Sequence, residues 1–301
     1  MTSIQNLPKI DLQAEKKAKG FRKRSPFFYV GEVILWMLLI IMAIIEFAPI
    51  SWLFANSLRD VKVAYNLPPS FWPTDFQWIN YYNVIASPQI KFMLFFWNSM
   101  KIAAAVTVGT LLTCSMAAFA FARLKFPGRD VIFFLFLATF MVPATVVLIP
   151  TFIIISRMGL LDNHLALILP ALTSAFGIFL LRQSFMSLPE ALMDAAKIDG
   201  AGFFRIFFVI MLPLVGPGLS ALGILTFLGS WNALLGPMLY LRSNDNFTFP
   251  LAIVVLQGYM GTGNRAQVLA GIMISVAPVL IFFLLAQQFI IQGVAISGLK
   301  G

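Results

Sequence analysis

The feature that most constrains this chain is a series of long apolar runs. The run Val131–Ile155 contains no charged side chain at all. A helix rises about 1.5 Å per residue, so it needs about 20 apolar residues to cross a hydrocarbon layer of roughly 30 Å. We therefore predict an all-α membrane protein with six transmembrane helices, because a membrane β-strand would alternate in polarity over only about ten residues. The predicted spans are Val33–Phe54, Phe92–Ala122, Val131–Ile155, Leu165–Leu181, Leu214–Leu241 and Ala266–Ser297.

The composition of the 301 residues agrees with this class. Hydrophobic residues make up 60% and charged residues 11%, whereas an average soluble domain carries about 25% charge. These values exclude a disordered chain, a coiled coil and a basic globule that binds nucleic acid. The single cysteine, Cys114, and the single histidine, His164, exclude a disulfide framework and a multi-histidine metal site. No G-x-x-x-x-G-K-[ST] motif occurs, so we do not expect this chain to bind ATP. Because the sequence shows no cluster of acids, histidines or cysteines, we expect it to bind no other cofactor or metal and not to be an enzyme.

Lysine and arginine are distributed unequally between the two sides of the predicted spans. One side carries Lys9, Lys16, Lys17, Lys19, Arg22, Lys23, Arg24, Arg123, Lys125, Arg129, Arg182, Lys197, Arg205 and Lys300. The other side carries Arg59, Lys62, Lys91, Arg157, Arg242 and Arg265. Because basic loops stay in the cytoplasm, we expect both termini to be cytoplasmic. Residues 1–32 then form a basic cytoplasmic segment, 33–54 the first helix, 55–91 an external loop and 298–301 a cytoplasmic tail.

The cytoplasmic segment 187–213 is the most informative part of the chain. Ser187 and Glu190 have the spacing of a capping box, with Pro189 in the first turn. A helix is predicted from Glu190 to Asp199, with Gly200 as its C-terminal stop.

The two faces of this predicted helix differ. One face carries Leu188, Ala191, Leu192, Ala195 and Ile198, and the other carries Glu190, Met193, Asp194 and Lys197. A helix that rests on lipid headgroups should carry lysine and arginine on its polar face. This face carries two acids and one lysine, which favours docking into a protein groove.

The same segment resembles the EAA loop of binding-protein-dependent ABC importer permeases. That pattern is EAA, three residues, glycine, nine residues, and Ile-x-Leu-Pro. In this chain it reads Asp194-Ala195-Ala196, then Gly200, then Ile210-Met211-Leu212-Pro213. The single departure is aspartate for the leading glutamate. The turn 119–129 and the tail 287–301 are similar to those of the carbohydrate-uptake branch, in its second, maltose and glycerol-phosphate type of permease.

The resemblance implies a type I ABC importer permease fold in the bacterial cytoplasmic (inner) membrane, with residues 92–297 as its core. It implies four kinds of partner: a second permease subunit, two ATPase subunits that bind ATP and Mg, an extracytoplasmic solute-binding protein, and a sugar or polyol phosphate. The segment 187–213 would couple the permease to the ATPase. The residues expected there are Glu190, Met193, Asp194, Ala195, Ala196, Asp199, Gly200 and Lys300.

Two further groups of residues are weaker candidates. Thr226, Trp231, Asn232 and Glu46 could line the substrate pathway, although Trp231 suits the core or the lipid interface equally well. The loop 242–263 could contact the binding protein. Its candidate residues are Asn244, Asp245, Asn246, Gly258 and Gly261, and the alternative is a simple cluster of turns.

Two other functional classes compete with the importer permease. An ion-coupled secondary transporter would need paired ionisable residues inside the membrane and inverted repeats. Only Glu46 and Lys101 are candidates, and no repeat is evident. A membrane enzyme would need a cluster of acids, histidines or cysteines, and none is evident in the sequence.

Overall fold

The computed structural model describes residues 26–60, 71–73, 75–86, 91–260 and 265–298. Every regular element in these ranges is helical. In chain order the helices are α1 (Pro26–Ser57), α2 (Ile79–Ile85), α3 (Phe92–Arg123), α4 (Arg129–Phe140), α5 (Ala144–Arg157), α6 (Leu165–Ala171), α7 (Ala175–Met186), α8 (Glu190–Ile198), α9 (Phe203–Leu214), α10 (Gly216–Trp231), α11 (Leu235–Tyr240), α12 (Phe249–Met260) and α13 (Arg265–Gly298). Residues Ile206–Met211 of α9 have π-helical hydrogen bonding, and Asn244–Asn246 form a 3-10 turn.

The chain divides into two compact units, Met1–Trp52 and Leu53–Gly301. In the first unit, α1 exposes its large apolar side chains from Tyr29 to Phe47, including Leu35, Trp36 and Ile45. In the second unit, α3 is the central helix and packs against α7 and α10, and α10 packs against α13.

Two apolar clusters hold the second unit together. The first joins α3, α7 and α9 through Phe119, Phe185 and Phe207, whose rings lie within 5.2 to 6.4 Å of each other. Gly177 of α7 allows close packing there, because a Cβ atom at this position would lie 3.1 Å from both Cys114 and Leu222. The second cluster joins α3, α10, α12 and α13.

Three of the predicted spans are uninterrupted helices. Val33–Phe54 lies within α1, Phe92–Ala122 corresponds to α3, and Ala266–Ser297 corresponds to α13. All three are long and apolar enough to cross a membrane.

The other three predicted spans are not single straight helices, and each contains one or more prolines. The run Val131–Ile155 forms α4 and α5, which meet at an angle of 100°. The break lies at Met141–Pro143, because proline lacks an N–H and forces the preceding residue out of the helical region. The run Leu165–Leu181 forms α6 and α7, bent by 43° and continuing to Met186.

The predicted fifth span, Leu214–Leu241, contains two helices. Its helix α10 ends at Trp231, and α11 follows after a non-helical turn. On the other side, α10 meets α9 at 80°, with the bend at Val215 just before Pro217. The described helices therefore provide three spans, or up to six if each bent pair counts as one.

Candidate coupling surface and transport cavity

The helix α8 lies in the segment predicted to reach the ATPase. It begins after Pro189 and ends before Gly200, which adopts a φ of +75°. That left-handed conformation suits glycine, so the predicted C-terminal stop is confirmed. The predicted cap was wrong. The Ser187 hydroxyl donates to Ser184 O (2.8 Å) and ends the preceding helix instead of capping α8.

Helix α8 packs against the rest of the chain through the face that carries Met193. Met193 and Ala196 are buried in the first apolar cluster. Leu192 and Ile198 are exposed, and Ile198 has 86% of its surface exposed. Both stripes of the helix contain apolar residues, and only the position of the neighbouring helix α9 decides which stripe is covered.

The acids of α8 lie at the surface. Glu190, Asp194 and Asp199 are exposed, and Lys197 Nζ lies 3.3 Å from Asp194 Oδ1. Glu190, Met193 and Asp194 also line a groove of about 530 Å³ between α8 and the turn after α3. The opposite wall of this groove includes Arg123, Lys125, Phe126 and Arg129. Ala195 is exposed beside Leu192, and Lys300 lies outside the described residues.

Arg123 positions α8, a role that the sequence did not reveal. Its guanidinium is buried, and its Nε–H donates to Phe185 O (3.1 Å). A second guanidinium nitrogen donates to Phe185 O and to Leu188 O. These bonds fix the end of α7 and the residues that lead into α8. The sequence signal was present in the 119–129 motif, but the arginine counted there only as a topological charge.

A cavity of about 390 Å³ lies between α3, α6, α10 and α11. Thr226, one of the predicted pathway residues, lines it. Its hydroxyl-bearing wall residues are Ser99, Thr110, Ser174, Thr226, Ser230 and Thr248, and its other wall residues include Ile102, Val106, Leu167, Phe176, Leu222, Leu225 and Pro237.

The other predicted pathway residues do not line this cavity. Trp231 is 1% exposed and belongs to the second apolar cluster, where its Nε1–H donates to Ser275 O (3.2 Å). Of the alternatives that the sequence left open for Trp231, the core position is the one observed, and this hydrogen bond and the stacking on Phe227 hold the ring there. Asn232 is exposed and donates to Leu228 O (3.0 Å). Glu46 is exposed on α1, in the unit Met1–Trp52.

Thr248 is one of the cavity residues that sequence reasoning did not identify. Only 4% of its surface is exposed, and its Oγ1 has no hydrogen-bond partner within the described part of the chain. Its neighbour across the cavity wall is Ser99, whose Oγ accepts the Phe249 N–H (2.7 Å). A threonine before the Phe-Pro that opens α12 looks like an ordinary helix start in the sequence.

The region 242–263, expected to be a loop, is mostly ordered. Residues Phe249–Met260 form α12, so the expectation of a loop as far as 263 was wrong. Asn244, Asp245 and Asn246 form the 3-10 turn, Gly258 is exposed on α12, and Gly261 lies outside the described residues.

Asp162 organises the turn that precedes α12. Its φ is +59°, and its carboxylate accepts hydrogen bonds from Arg242 N–H, Ser243 N–H (both 2.9 Å) and the Ser243 hydroxyl (2.5 Å). These bonds, that of the Ser243 hydroxyl above all, hold the pKa of Asp162 well below its usual range. Nearby, Lys91 and Asp245 form an exposed ion pair at 2.5 Å.

Comparison with known proteins identifies the family to which this fold belongs. Residues 109–294 match the family model for the binding-protein-dependent transport system inner membrane component. The chain belongs to this family. It is 40% identical over 206 residues to the arabinooligosaccharides transport system permease protein AraQ of Halalkalibacterium halodurans. The aligned region covers 68% of this chain and 74% of AraQ. It is 31% identical over 269 residues to the sn-glycerol-3-phosphate transport system permease protein UgpE of Yersinia pestis. This alignment covers 87% of this chain and 95% of UgpE.

A solved structure has the same fold. It is the crystal structure of a bacterial ABC transporter involved in the import of the acidic polysaccharide alginate. The similarity has a TM-score of 0.74 at 25% identity and covers 88% of this chain and 98% of the other. The chain is therefore an inner-membrane ABC permease with the type I permease fold, and a transport component, not an enzyme. The alternatives of an ion-coupled transporter and a membrane enzyme were wrong.

Proposed function

We propose that this chain is one of two permease subunits of an ATP-driven importer that carries a sugar across the cytoplasmic membrane. The observation that carries the proposal is α8, a short helix with a buried anchor and an uncovered apolar stripe. Met193 and Ala196 attach the helix to the permease, and Leu192 and Ile198 remain uncovered. An exposed apolar stripe flanked by acids is typical of a surface that a protein partner covers.

The partner proposed for α8 is an ATPase subunit. Leu192 and Ile198 enter an apolar groove on that subunit, and Glu190, Asp194 and Asp199 contact basic groups at its rim. Because Arg123 and the apolar cluster hold α8 firmly, movement of the ATPase moves α7 and α9 with it. The helix thus converts the approach of two ATPase subunits into motion of the membrane helices.

The remaining parts of the chain have roles in the same importer. Each of the three bent helix pairs crosses the membrane once, which makes six spans with both termini in the cytoplasm. The cavity beside Thr226 forms part of the substrate pathway. The turn Asn244–Asn246 faces the extracytoplasmic binding protein, and a second permease subunit completes the pathway. Arabinooligosaccharide and sn-glycerol-3-phosphate systems among the relatives support a carbohydrate or polyol substrate.

Substitution of Ile198 tests the proposed docking. Since this side chain is 86% exposed, Ile198→Asp should leave folding and membrane insertion unchanged. It should reduce copurification of the ATPase and abolish sugar uptake, because it places a charge in an apolar interface. Ile198→Leu is the matched control and should retain both. Normal ATP-driven uptake by Ile198→Asp would contradict the coupling role of α8.

A further inference from the structure

The direction of α9 is fixed by its bend relative to α10. Helix α10 runs along α3, since a Cβ atom on Gly223 would lie 3.5 Å from Leu111 and the ring of Trp231 lies 5.6 Å from that of Phe96. Because α3 is an uninterrupted helix that is long and apolar enough to cross a membrane, α10 follows the same direction through it. Helix α9 meets α10 at 80°. It therefore lies nearly parallel to the membrane surface.

The depth of α9 follows from its contact with the last turn of α3. The ring of Phe207 lies 5.2 Å from that of Phe119, one turn before α3 ends at Arg123. The basic residues Lys125 and Arg129 come next in the chain. Helix α10 has 16 residues and is about 24 Å long, so a hydrocarbon layer of roughly 30 Å extends past the bend to α9. Helix α9 thus lies where the hydrocarbon meets the headgroups, on the same side as α8.

The two faces of α9 differ in what covers them. One face is buried in the first apolar cluster through Phe207 and Met211. The other face exposes Phe204, Phe208 and Val209, and Phe204 has 73% of its surface exposed. Large apolar side chains that stay exposed together mark a surface that a membrane or another protein covers. The exposed face of α9 therefore needs either lipid or another subunit.

The charge of α9 favours lipid over a protein. Arg205 is the only charged residue between positions 203 and 214, and it is exposed next to Phe204. A helix that rests on a membrane surface points apolar residues towards the acyl chains and carries lysine or arginine at the headgroups. The neighbouring helix α8 has the opposite charge, with Glu190, Asp194 and Asp199 exposed. The two helices therefore suit different partners, a protein for α8 and anionic lipid for α9.

We propose that α9 binds anionic phospholipid of the cytoplasmic leaflet, with Phe204, Phe208 and Val209 among the acyl chains and Arg205 at the headgroup phosphate. The proposal uses the orientation proposed above, with α8 in the cytoplasm, and adds a lipid partner to the importer. The pair of α9 and α10 still crosses the membrane once, through α10. Because α9 connects α8 to α10, lipid that holds α9 in place supports the transfer of motion from the ATPase to the membrane helices. Sugar transport should therefore depend on anionic lipid.

Photocrosslinking of the complete importer in membrane vesicles tests what covers α9. With benzoylphenylalanine in place of Phe204, we expect an adduct with phospholipid. If position 204 gives no phospholipid adduct, or an adduct with the ATPase or the second permease in its place, the lipid site is overturned. The same group in place of Leu192 on α8 should give an adduct with the ATPase. Failure at Leu192 alone would contradict the coupling role of α8 and leave the lipid site standing.

Arg205→Gln tests the contact with the headgroup. The measurement is ATP-driven sugar uptake into proteoliposomes in which phosphatidylglycerol progressively replaces phosphatidylcholine. Uptake by the natural importer should rise with the fraction of phosphatidylglycerol. In Arg205→Gln, the apparent affinity for phosphatidylglycerol, taken from the half-maximal fraction, should fall about 5-fold, the contribution of one basic group at an anionic surface.

The matched control is Arg205→Lys, which keeps the positive charge and should keep the natural half-maximal fraction. Because Arg205 is exposed, neither substitution should change folding. Equal half-maximal fractions in the two variants, or natural uptake that ignores phosphatidylglycerol, would overturn the headgroup contact. If no lipid mixture supports ATP-dependent uptake by the natural protein, the importer function itself fails, and the adduct at position 204 still decides whether lipid covers α9.

Discussion

Arg123 has two roles: it adds to the positive charge of its loop, and it fixes the backbone between α7 and α8. In the sequence it is one of the cytoplasmic charges that orient the protein, and in the structure it is buried and donates to two carbonyls. A buried charge is tolerated only when it is well hydrogen-bonded. Here the bonded carbonyls belong to Phe185 and Leu188, so the charge holds the connection between α7 and α8.

Arg123→Met should loosen this connection. Methionine keeps much of the volume but removes the guanidinium donors to both carbonyls, and a hydrogen bond to a charged group contributes about 1.5–3 kcal/mol. We expect faster hydrogen exchange in residues 185–190 and a lower thermal midpoint of the purified importer. Arg129→Met is the control, because Arg129 pairs with the exposed Asp130 and such pairs contribute about 0–1 kcal/mol. Equal effects of the two substitutions would contradict the positioning role.

At the scale of elements, the turn after α11 depends on Asp162. Asp162→Ala removes the acceptor of three hydrogen bonds and places alanine at a positive φ, which disfavours it. We expect faster hydrogen exchange in residues 242–246. Asp162→Asn tolerates the same φ and keeps one acceptor oxygen, so its effect should be smaller. Asp245→Ala, which breaks only the exposed pair with Lys91, should have little effect.

The lowered pKa of the Asp162 carboxylate determines how the turn at residues 242–246 should respond to pH. Because its pKa is lowered in the folded protein, its stabilising contribution is complete above the unfolded value of about 3.9 and is lost as the pH falls towards the folded value. Protection of residues 242–246, corrected for intrinsic exchange, should therefore be constant from pH 8 to pH 5 and decrease below about pH 4. Asp162→Asn should lack the acid-dependent decrease. Loss of protection near pH 6 in the natural protein would show that another group controls the turn.

The helices also show which structural features can be predicted from neighbouring residues in the sequence and which cannot. Helix α8 and its stop at Gly200 could be predicted because proline, acid and glycine act on the adjacent backbone. Its buried face could not, because that depends on where α9 packs. Pro170 indicates that the helix bends or ends near this point, but the contacts that fix the bend between α6 and α7 come from distant residues. The bend is stabilised by Thr110 and Thr113 of α3, which donate to Ala171 O and Leu172 O from about 60 positions away.

The surface of α8 and the cavity also differ in how far the sequence alone predicts them. The residues of α8 proposed to dock on the ATPase lie within one short stretch of the sequence, and a spacing motif marks that stretch. The cavity is assembled from residues as distant as Ser99 and Thr248, and no local pattern joins them. Trp231 is the type of residue that often contacts sugars. Its burial between Phe227 and Phe249 depends on how the helices pack, which the sequence alone does not show.

At the scale of the whole molecule, the proposed roles require α8 and the turn Asn244–Asn246 to lie on opposite sides of the membrane. This can be tested by labelling, because the single cysteine, Cys114, is fully buried. A membrane-impermeant maleimide applied to right-side-out vesicles should label Arg242→Cys, in the exposed turn. It should label Lys125→Cys, which is exposed beside α8, only after the vesicles are permeabilised. The natural protein is the control for Cys114. Labelling of Lys125→Cys in sealed vesicles would place α8 outside, where no ATPase could reach it, and both the orientation and the coupling role would fail together.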